Sequence, residues 1–324
     1  MHYRRLGKAG VKVSEIGLGT WLTYGKTVEK EKAKECFKAA FELGVNFFDT
    51  ADIYANGESE KVVGEIIQDF NRNDLFLGTK VYFPMSKSPN NKGLSRKHIM
   101  ESCENSLKRL QTDYIDLYQC HRYDSETELE EVISAMDDLV KQGKILYWGV
   151  SQWSAVQICD SVHISKYMNK TKPSSNQPVY NMLNRSLEVD VMNVCDRDGL
   201  GIVIWSPLAE GVLTGKYSNG VIPIDSRAGN DQSNTFIKHR LTAEKLAKVD
   251  KINVIAKELS ITMSQLALAW CLRRKEISSA IIGASRPEQV IENVKASGFK
   301  IPQLAFDRIE RILNNAPIDQ YSDY

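Results

Sequence analysis

Four side chains able to hold or move a proton stand at separated points of the chain: Asp49, Tyr54, Lys80 and His121. A free phenol titrates near about 10, too high for easy acid–base work at neutral pH. A neighbouring ammonium favours the phenolate and should lower that value. An aspartate beside the lysine would keep the ammonium charged and fixed. Gathered together, the four would make Tyr54 a general acid for a carbonyl oxygen, with His121 orienting or polarising that oxygen. Two other readings use the same residues: a buried Asp49–Lys80 ion pair that serves only structure, or Lys80 as a Schiff-base nucleophile.

Such residues matter only if the fold gathers them. Short apolar runs near 15–20, 46–50, 75–81, 114–120, 145–151, 175–179, 201–205 and 279–283 read as strands buried on both faces. Helical patterns separate them. In 28–44, Ala33, Cys36, Phe37, Ala40 and Phe41 recur at helical spacing, and Ser95 to Leu110 and Thr127 to Lys141 read similarly. Thr262 and Gln265 have the spacing of a capping box, with Ile261 and Leu266 as a hydrophobic staple. Eight strands alternating with helices predict an α/β fold, a (β/α)8 TIM barrel forming one domain over 1–324. A hairpin turned at Lys8–Gly10 should precede it, and a further helix should cover Leu304 to Leu313. In such a barrel Asp49, Tyr54, Lys80 and His121 fall at the C-terminal ends of three adjacent strands, where chemistry is expected.

The predicted strands start 31, 29, 39, 31, 30 and 26 residues apart, and then 78. The first part of that last gap, Ser206 to Leu241, is too long for an ordinary connection and reads as a lid or clamp after strand 7. Beyond strand 8, Gly283-Ala284-Ser285-Arg286-Pro287-Glu288 looks like a helix start with a Ser-x-x-Glu box. Its free N–H groups and the Arg286 fork suit a phosphate.

The 324 residues carry 42 Lys and Arg against 41 Asp and Glu, a net charge of +1. That balance excludes the broad basic footprint of a nucleic-acid binder. No apolar run has the length of a membrane span, and the start MHYRRLGKAG does not read as a secretory signal. The six cysteines are scattered with no CxxC pair, and the five histidines lie far apart, so no metal site is expected. A cytoplasmic protein with reduced cysteines is the expectation. The glycines at 17–19 lack the third glycine of a Rossmann turn, and GVLTGK (211–216) is one residue short of a P-loop.

The motifs GLGTW (17–21), FFDTADIY (47–54), GTKV (78–81), CH (120–121), YWGVSQW (147–153), WSPLAEGVLTGKY (205–217) and GASRPEQVIEN (283–293) resemble the aldo-keto reductase superfamily. They run in the family's order over nearly the whole chain, and look most like the branch that includes the potassium-channel β-subunits. The resemblance implies a barrel that reduces aldehydes and ketones with NADPH, returning NADP+, with Asp49, Tyr54, Lys80 and His121 as the catalytic tetrad. Animal channel β-subunits typically carry Asn where this chain has His121. The alternative implied by the same branch is a regulatory subunit that senses NADP(H) with slow turnover. Channel-type relatives are tetramers, so a homo-oligomer is also implied.

For the cofactor, the resemblance implies that Trp205 stacks on the nicotinamide while Ser151 and Gln177 hold its carboxamide. Lys216 and Arg227 would clamp the phosphates, and Ser285, Arg286, Gln289, Glu292 and Asn293 would line the adenosine end. Gly19, Thr20, Trp21, Asp49, Ser206, Pro207, Leu208, Gly211 and Gly283 complete the expected cofactor contacts. A small carbonyl substrate would meet Trp21, Tyr54, Tyr82 and His121.

Overall fold

A computed structural model describes residues 1–21, 30–223, 226–229, 237 and 241–317, and for Asn219 and Arg227 the backbone only. The chain opens with an antiparallel hairpin, β1 (Tyr3–Arg5) and β2 (Lys12–Ser14). Eight parallel strands follow: β3 (Ile16–Gly19), β4 (Phe47–Asp49), β5 (Phe76–Val81), β6 (Ile115–Cys120), β7 (Ile145–Val150), β8 (Ser175–Asn176), β9 (Gly201–Ile204) and β10 (Ile277–Gly283). They close in the order β10-β3-β4-β5-β6-β7-β8-β9, and β10 pairs β3 through Ile281 and Gly17. This is the (β/α)8 barrel that the alternation of elements predicts.

The helices are α1 (Lys30–Glu42), α2 (Glu58–Ile67), α3 (Arg96–Leu110), α4 (Leu129–Lys141), α5 (Ala155–Tyr167) and α6 (Val191–Asp198). α7 (Ala243–Glu258), α8 (Met263–Leu272), α9 (Pro287–Asn293) and α10 (Gln303–Leu313) complete the set among the described residues. The Thr262–Gln265 capping box forms as its spacing predicts. The sequence reading left α7 unassigned, so the long gap before β10 holds two helices as well as a loop. β8 is shorter than expected. Pro178 has no N–H to give the ladder, and only an isolated bridge from Val179 to Trp205 continues it.

Strand alternation divides two cores. Phe47, Phe76, Leu117, Val203 and Ile281 point inward and fill the barrel with Leu6 and Val13 of the hairpin. Their neighbours Phe48, Leu77, Tyr118, Ile204 and Ile282 point outward against the helices. The hairpin therefore plugs the bottom, and the space left for chemistry is at the strands' C-terminal ends. Gly78 belongs to this packing: a Cβ there would sit 3.2 Å from the Phe47 ring and 3.4 Å from Asp49 Oδ1.

Arg4 ties the plug to the barrel. Its guanidinium donates to the carbonyls of Leu272, Arg274 and Ile277 at 2.6, 2.8 and 2.8 Å and pairs with Glu15 at 2.7 Å. Arg4→Ala leaves these acceptors without their donor, so the unfolding free energy should fall by about 3 kcal/mol. Urea denaturation measures it; a loss below about 0.5 kcal/mol would show that the guanidinium is dispensable.

Candidate active site

The alternation that sends Phe47 inward also sends Asp49 inward, at the very end of β4. On β5 the same parity brings Gly78 and Lys80 to the interior, and on β6 it brings Leu117, Gln119 and then His121. Asp49, Lys80 and His121 thus come from three neighbouring strands and meet above the apolar filling, as their placement predicts. Lys80 is wholly buried and Asp49 nearly so. The Lys80 ammonium donates to Asp49 Oδ2 at 2.6 Å, to the Thr50 carbonyl at 2.6 Å and to the Tyr54 hydroxyl at 3.3 Å. All three of its N–H bonds are thereby engaged. Gln177 reaches across from the end of β8 to donate to Asp49 Oδ1 at 2.9 Å, and Gln119 approaches the same oxygen at 3.4 Å.

Electrostatics follow from this geometry. Burial alone would push the Lys80 ammonium down, but Asp49 and Tyr54 outweigh it and hold its pKa above the ordinary lysine value. The geometry favours a positioning role for Lys80 over the Schiff-base reading, since its nitrogen is buried and spends all three N–H bonds on protein acceptors. For Tyr54 the sequence expectation is corrected. Burial raises its pKa by more than Lys80 lowers it, and the phenol is held above its ordinary value. The ammonium keeps a buried phenol from rising further; it does not make it acidic. His121 is pushed well below the ordinary histidine value by burial, with Lys80 and Arg122 adding to the effect. Its ring is therefore neutral at pH 7.

Tyr54 is presented by a tight turn. Ala55, Asn56 and Gly57 follow it with φ of 50°, 54° and 90°, three left-handed residues in succession. A Cβ at Gly57 would meet Arg109 Cδ at 3.0 Å, so glycine serves both the backbone and the close approach. Arg109 is held from below by Glu60 at 2.6 Å, and Glu60 accepts from Thr79 at 2.5 Å, one residue before Lys80.

Around the mouth, the Tyr54 and His121 rings lie edge to face at 5.9 Å. Phe83 packs edge-on against His121 at 4.9 Å and against Tyr82 at 5.3 Å. On the far side Trp21 and Trp205 meet at 6.1 Å. The expected substrate residues Trp21, Tyr54, Tyr82 and His121 all lie on this rim. The sequence reading missed Thr50, Gln119, Phe83 and Arg122. Thr50 acts through its carbonyl, which side-chain type cannot reveal. Gln119 had a signal, a polar residue at an inward position two before His121.

A family model described as the aldo/keto reductase family matches residues 15–314. The chain belongs to the aldo/keto reductase family. Its members are oxidoreductases that generally use nicotinamide cofactors. Two similar proteins are named probable voltage-gated potassium channel subunit beta. The one from Arabidopsis thaliana is 41% identical and that from Oryza sativa subsp. japonica 40%, each over 323 residues and 98% of both chains. A Schizosaccharomyces pombe protein with the same subunit designation is 43% identical over 326 residues, 98% of this chain and 94% of its own.

Apart from Asp49, the residues expected to contact the family's cofactor lie on or after β7, β8, β9, β10 and β3, the arc of the ring that faces away from Lys80. Trp205 is half-buried at the rim. Three non-glycine residues in the next five, Ser206, Ala209 and Glu210, have φ of 51°, 47° and 59°, and Gly211 follows at 103°. Strained left-handed residues of this kind cluster at active sites and ligand clamps. Asn181 Nδ2 pins the turn by donating to the Ser206 carbonyl at 2.9 Å. Lys216 folds back across Gly211, where a Cβ would stand 3.2 Å from its Cε. Gly283 is exposed with open space before its Cα, beside Ser285 and Arg286. A flat aromatic, an open glycine edge and the cationic side chains of Lys216 and Arg286 fit a nicotinamide dinucleotide.

Some expected contacts are differently engaged. The Ser285–Glu288 box does not form: Arg286 is the N-cap of α9, and Ser285 turns to Gln289, its N–H donating to Oε1 at 2.8 Å. Pro287 at the first helical position accounts for this shift of the start by one residue. The Thr20 hydroxyl is committed to Thr50 at 2.9 Å and Ser59 at 2.7 Å. Ser151 donates to the Gln177 carbonyl at 2.8 Å. Glu292 accepts from Thr262 at 3.0 Å, and Asn293 is buried. Arg227 opens a short turn, Arg227–Gly229; its side chain lies outside the described residues.

The neutral imidazole has a measurable consequence. The unfolded chain takes up a proton on His121 as pH falls through about 6.5, whereas the folded protein does so only well below. Stability should therefore decline as pH drops through that window, and His121→Asn should flatten the decline. Urea midpoints between pH 7 and 5 check the slope; identical slopes in both proteins would mean that His121 titrates alike in the folded and unfolded chains.

Proposed function

We propose that this chain catalyses NADPH-dependent reduction of aldehydes and ketones to alcohols, with Tyr54 as the general acid. The observation that carries this reading is the direction of the Lys80–Tyr54 hydrogen bond. The ammonium donates to the phenol oxygen, so the phenol's own proton is free to be given away toward the mouth of the barrel. A bound NADPH would supply the hydride.

The raised pKa keeps Tyr54 protonated until a partner with growing negative charge arrives. As the substrate oxygen becomes an alkoxide it takes the phenol proton, and the phenolate left behind sits against the Lys80 ammonium. Asp49 holds that ammonium in place and balances its charge. The neutral His121 ring, 5.9 Å from the Tyr54 ring, donates a hydrogen bond to the same carbonyl oxygen and fixes its position. Trp21, Tyr82 and Phe83 form the apolar wall that keeps water from the reacting carbon. Trp205, Lys216, Ser285 and Arg286 would hold the dinucleotide, the last three through its phosphates.

Two experiments test this reading. Tyr54→Phe should lower kcat for simple aldehydes by about 10²-fold or more, the scale of a positioned acid, while NADPH affinity stays near that of the unmodified protein. A change of only a few-fold would remove Tyr54 from the role. NADPH should bind at least about tenfold more tightly than NADH, and Arg286→Ala should largely erase the difference. Titration of Trp205 fluorescence measures both; equal affinities for the two cofactors would refute it.

The names of the relatives favour a second reading, a channel-associated subunit; the family resemblance implies that such a subunit binds NADP(H), turns over slowly and assembles as a tetramer. His121 separates the two, because a ring N–H aimed at the carbonyl favours turnover. Steady multiple turnover with nitrobenzaldehyde, reduced by His121→Asn, supports the enzyme. A single burst with retained NADP+, indifferent to His121→Asn, would support the subunit instead.

A further inference from the structure

Arg122 directly follows His121 on the rim. Its guanidinium lies over the Phe83 ring at 5.5 Å, and the other edge of that ring packs against His121 at 4.9 Å. Nη1 donates to the His121 carbonyl at 2.5 Å, and among the described residues no carboxylate pairs with it. This is unusual within the molecule. The other described arginines that are at least partly buried sit on carboxylates, as Arg72 does on Asp116 and Arg109 on Glu60, both at 2.6 Å. The nearest acid in sequence, Asp124, is spent on Leu94 N–H and the Thr127 hydroxyl through Oδ2, and on Glu126 N–H through Oδ1. A partly desolvated guanidinium with most of its five donors unassigned is costly unless an anion completes it.

We propose that Arg122 receives an anionic group carried by the substrate, so that the preferred carbonyl compounds are aldehydes or ketones bearing a carboxylate. The placement selects the substrate over the cofactor as the source of the charge. β6 stands four strands from β10 in either direction around the ring, so Arg122 is opposite Ser285 and Arg286. It faces instead the side of the mouth occupied by Tyr54, Tyr82 and Phe83. Its position over Phe83, which packs on His121 beside Tyr54, places it next to the carbonyl site. A planar fork of donors there matches a carboxylate held beyond an aromatic or short aliphatic spacer.

The inference rests on the carbonyl-reductase reading, and the test separates the two. The probes are 4-carboxybenzaldehyde and methyl 4-formylbenzoate, which present the same aldehyde with and without the charge, assayed with NADPH. The unmodified protein should show kcat/KM at least about tenfold higher for the carboxylate, carried mainly by KM. Within Arg122→Gln that ratio should collapse toward one, and within Arg122→Lys part of it should return. The ratio is taken inside each protein, so a general loss of activity does not disturb it. Equal reduction of both probes by the unmodified protein overturns the anion site and leaves the reductase standing. A strong preference that survives in Arg122→Gln also overturns it, assigning Arg122 to packing on Phe83. Reduction of neither probe overturns the reductase reading. Benzoate binding, followed by tryptophan fluorescence, then decides the anion site: tighter binding to the unmodified protein than to Arg122→Gln upholds it, and equal binding overturns it.

Discussion

A lysine ammonium with no access to water is stable only if its protons are accepted and its charge is met. Lys80 satisfies both conditions through one carboxylate, one backbone carbonyl and one phenol, each from the segment that ends β4 and turns above it. Removing Asp49 would leave an uncompensated buried cation, which costs several kcal/mol. The pair therefore constrains everything around it. β4 must end at the level where Asp49 reaches Lys80, Gly78 must leave room beneath, and the 54–57 turn must bring the phenol oxygen to the third proton. An ion pair that only joined two strands would not require that third partner.

The closed ring then assigns separate tasks to its two sides. β4, β5 and β6 bring Asp49, Lys80 and His121 together with Tyr54, whereas β7 through β10 and β3 carry the surfaces that fit a nicotinamide dinucleotide. Gln177 connects them, since it directly follows β8 yet donates to Asp49. A ligand that drew the Gln177 amide away would leave Asp49 Oδ1 to Gln119 alone. Occupancy of one side of the mouth can thus be felt at the carboxylate that fixes Lys80.

What the sequence made legible follows from how local each signal is. All eight barrel strands were readable because apolar runs buried on both faces differ sharply from the helical spacing between them. Asp49, Lys80 and His121 were readable because polar residues at the ends of such runs have nowhere to go but the mouth. Tyr54 was readable from its place just after the second predicted strand, but the turn that presents it was not, since its left-handed residues Ala55 and Asn56 give no strong signal of type. The sign of the Tyr54 shift was misread for a physical reason: spacing shows the neighbour, Lys80, but not the depth of burial that opposes it. Arg122 and Phe83 escaped notice because their importance lies in a missing counter-ion and a ring contact, neither of which is visible without coordinates. No described helix is long and apolar enough to cross a membrane, in line with the short apolar runs.

The turn that carries Tyr54 shows why the support beneath the site extends so far from it. Left-handed conformations at Ala55 and Asn56 cost on the order of 1 kcal/mol each, so the turn persists only if its surroundings over-determine it. Arg109 does so from below, with its stem against Gly57 and its guanidinium on Glu60. Glu60 in turn is fixed by Thr79, the outward-facing neighbour of Lys80. Asp52, buried beside this acid, is pushed well above the ordinary carboxylate range by burial and by Glu60. Glu60 thus meets a guanidinium beneath the turn, as Asp49 meets an ammonium above it. The β5 backbone links the two pairs through adjacent residues, Thr79 pointing out and Lys80 pointing in. Strand alternation, the simplest property of an extended chain, is what couples the strained turn to the ion pair that Tyr54 must meet.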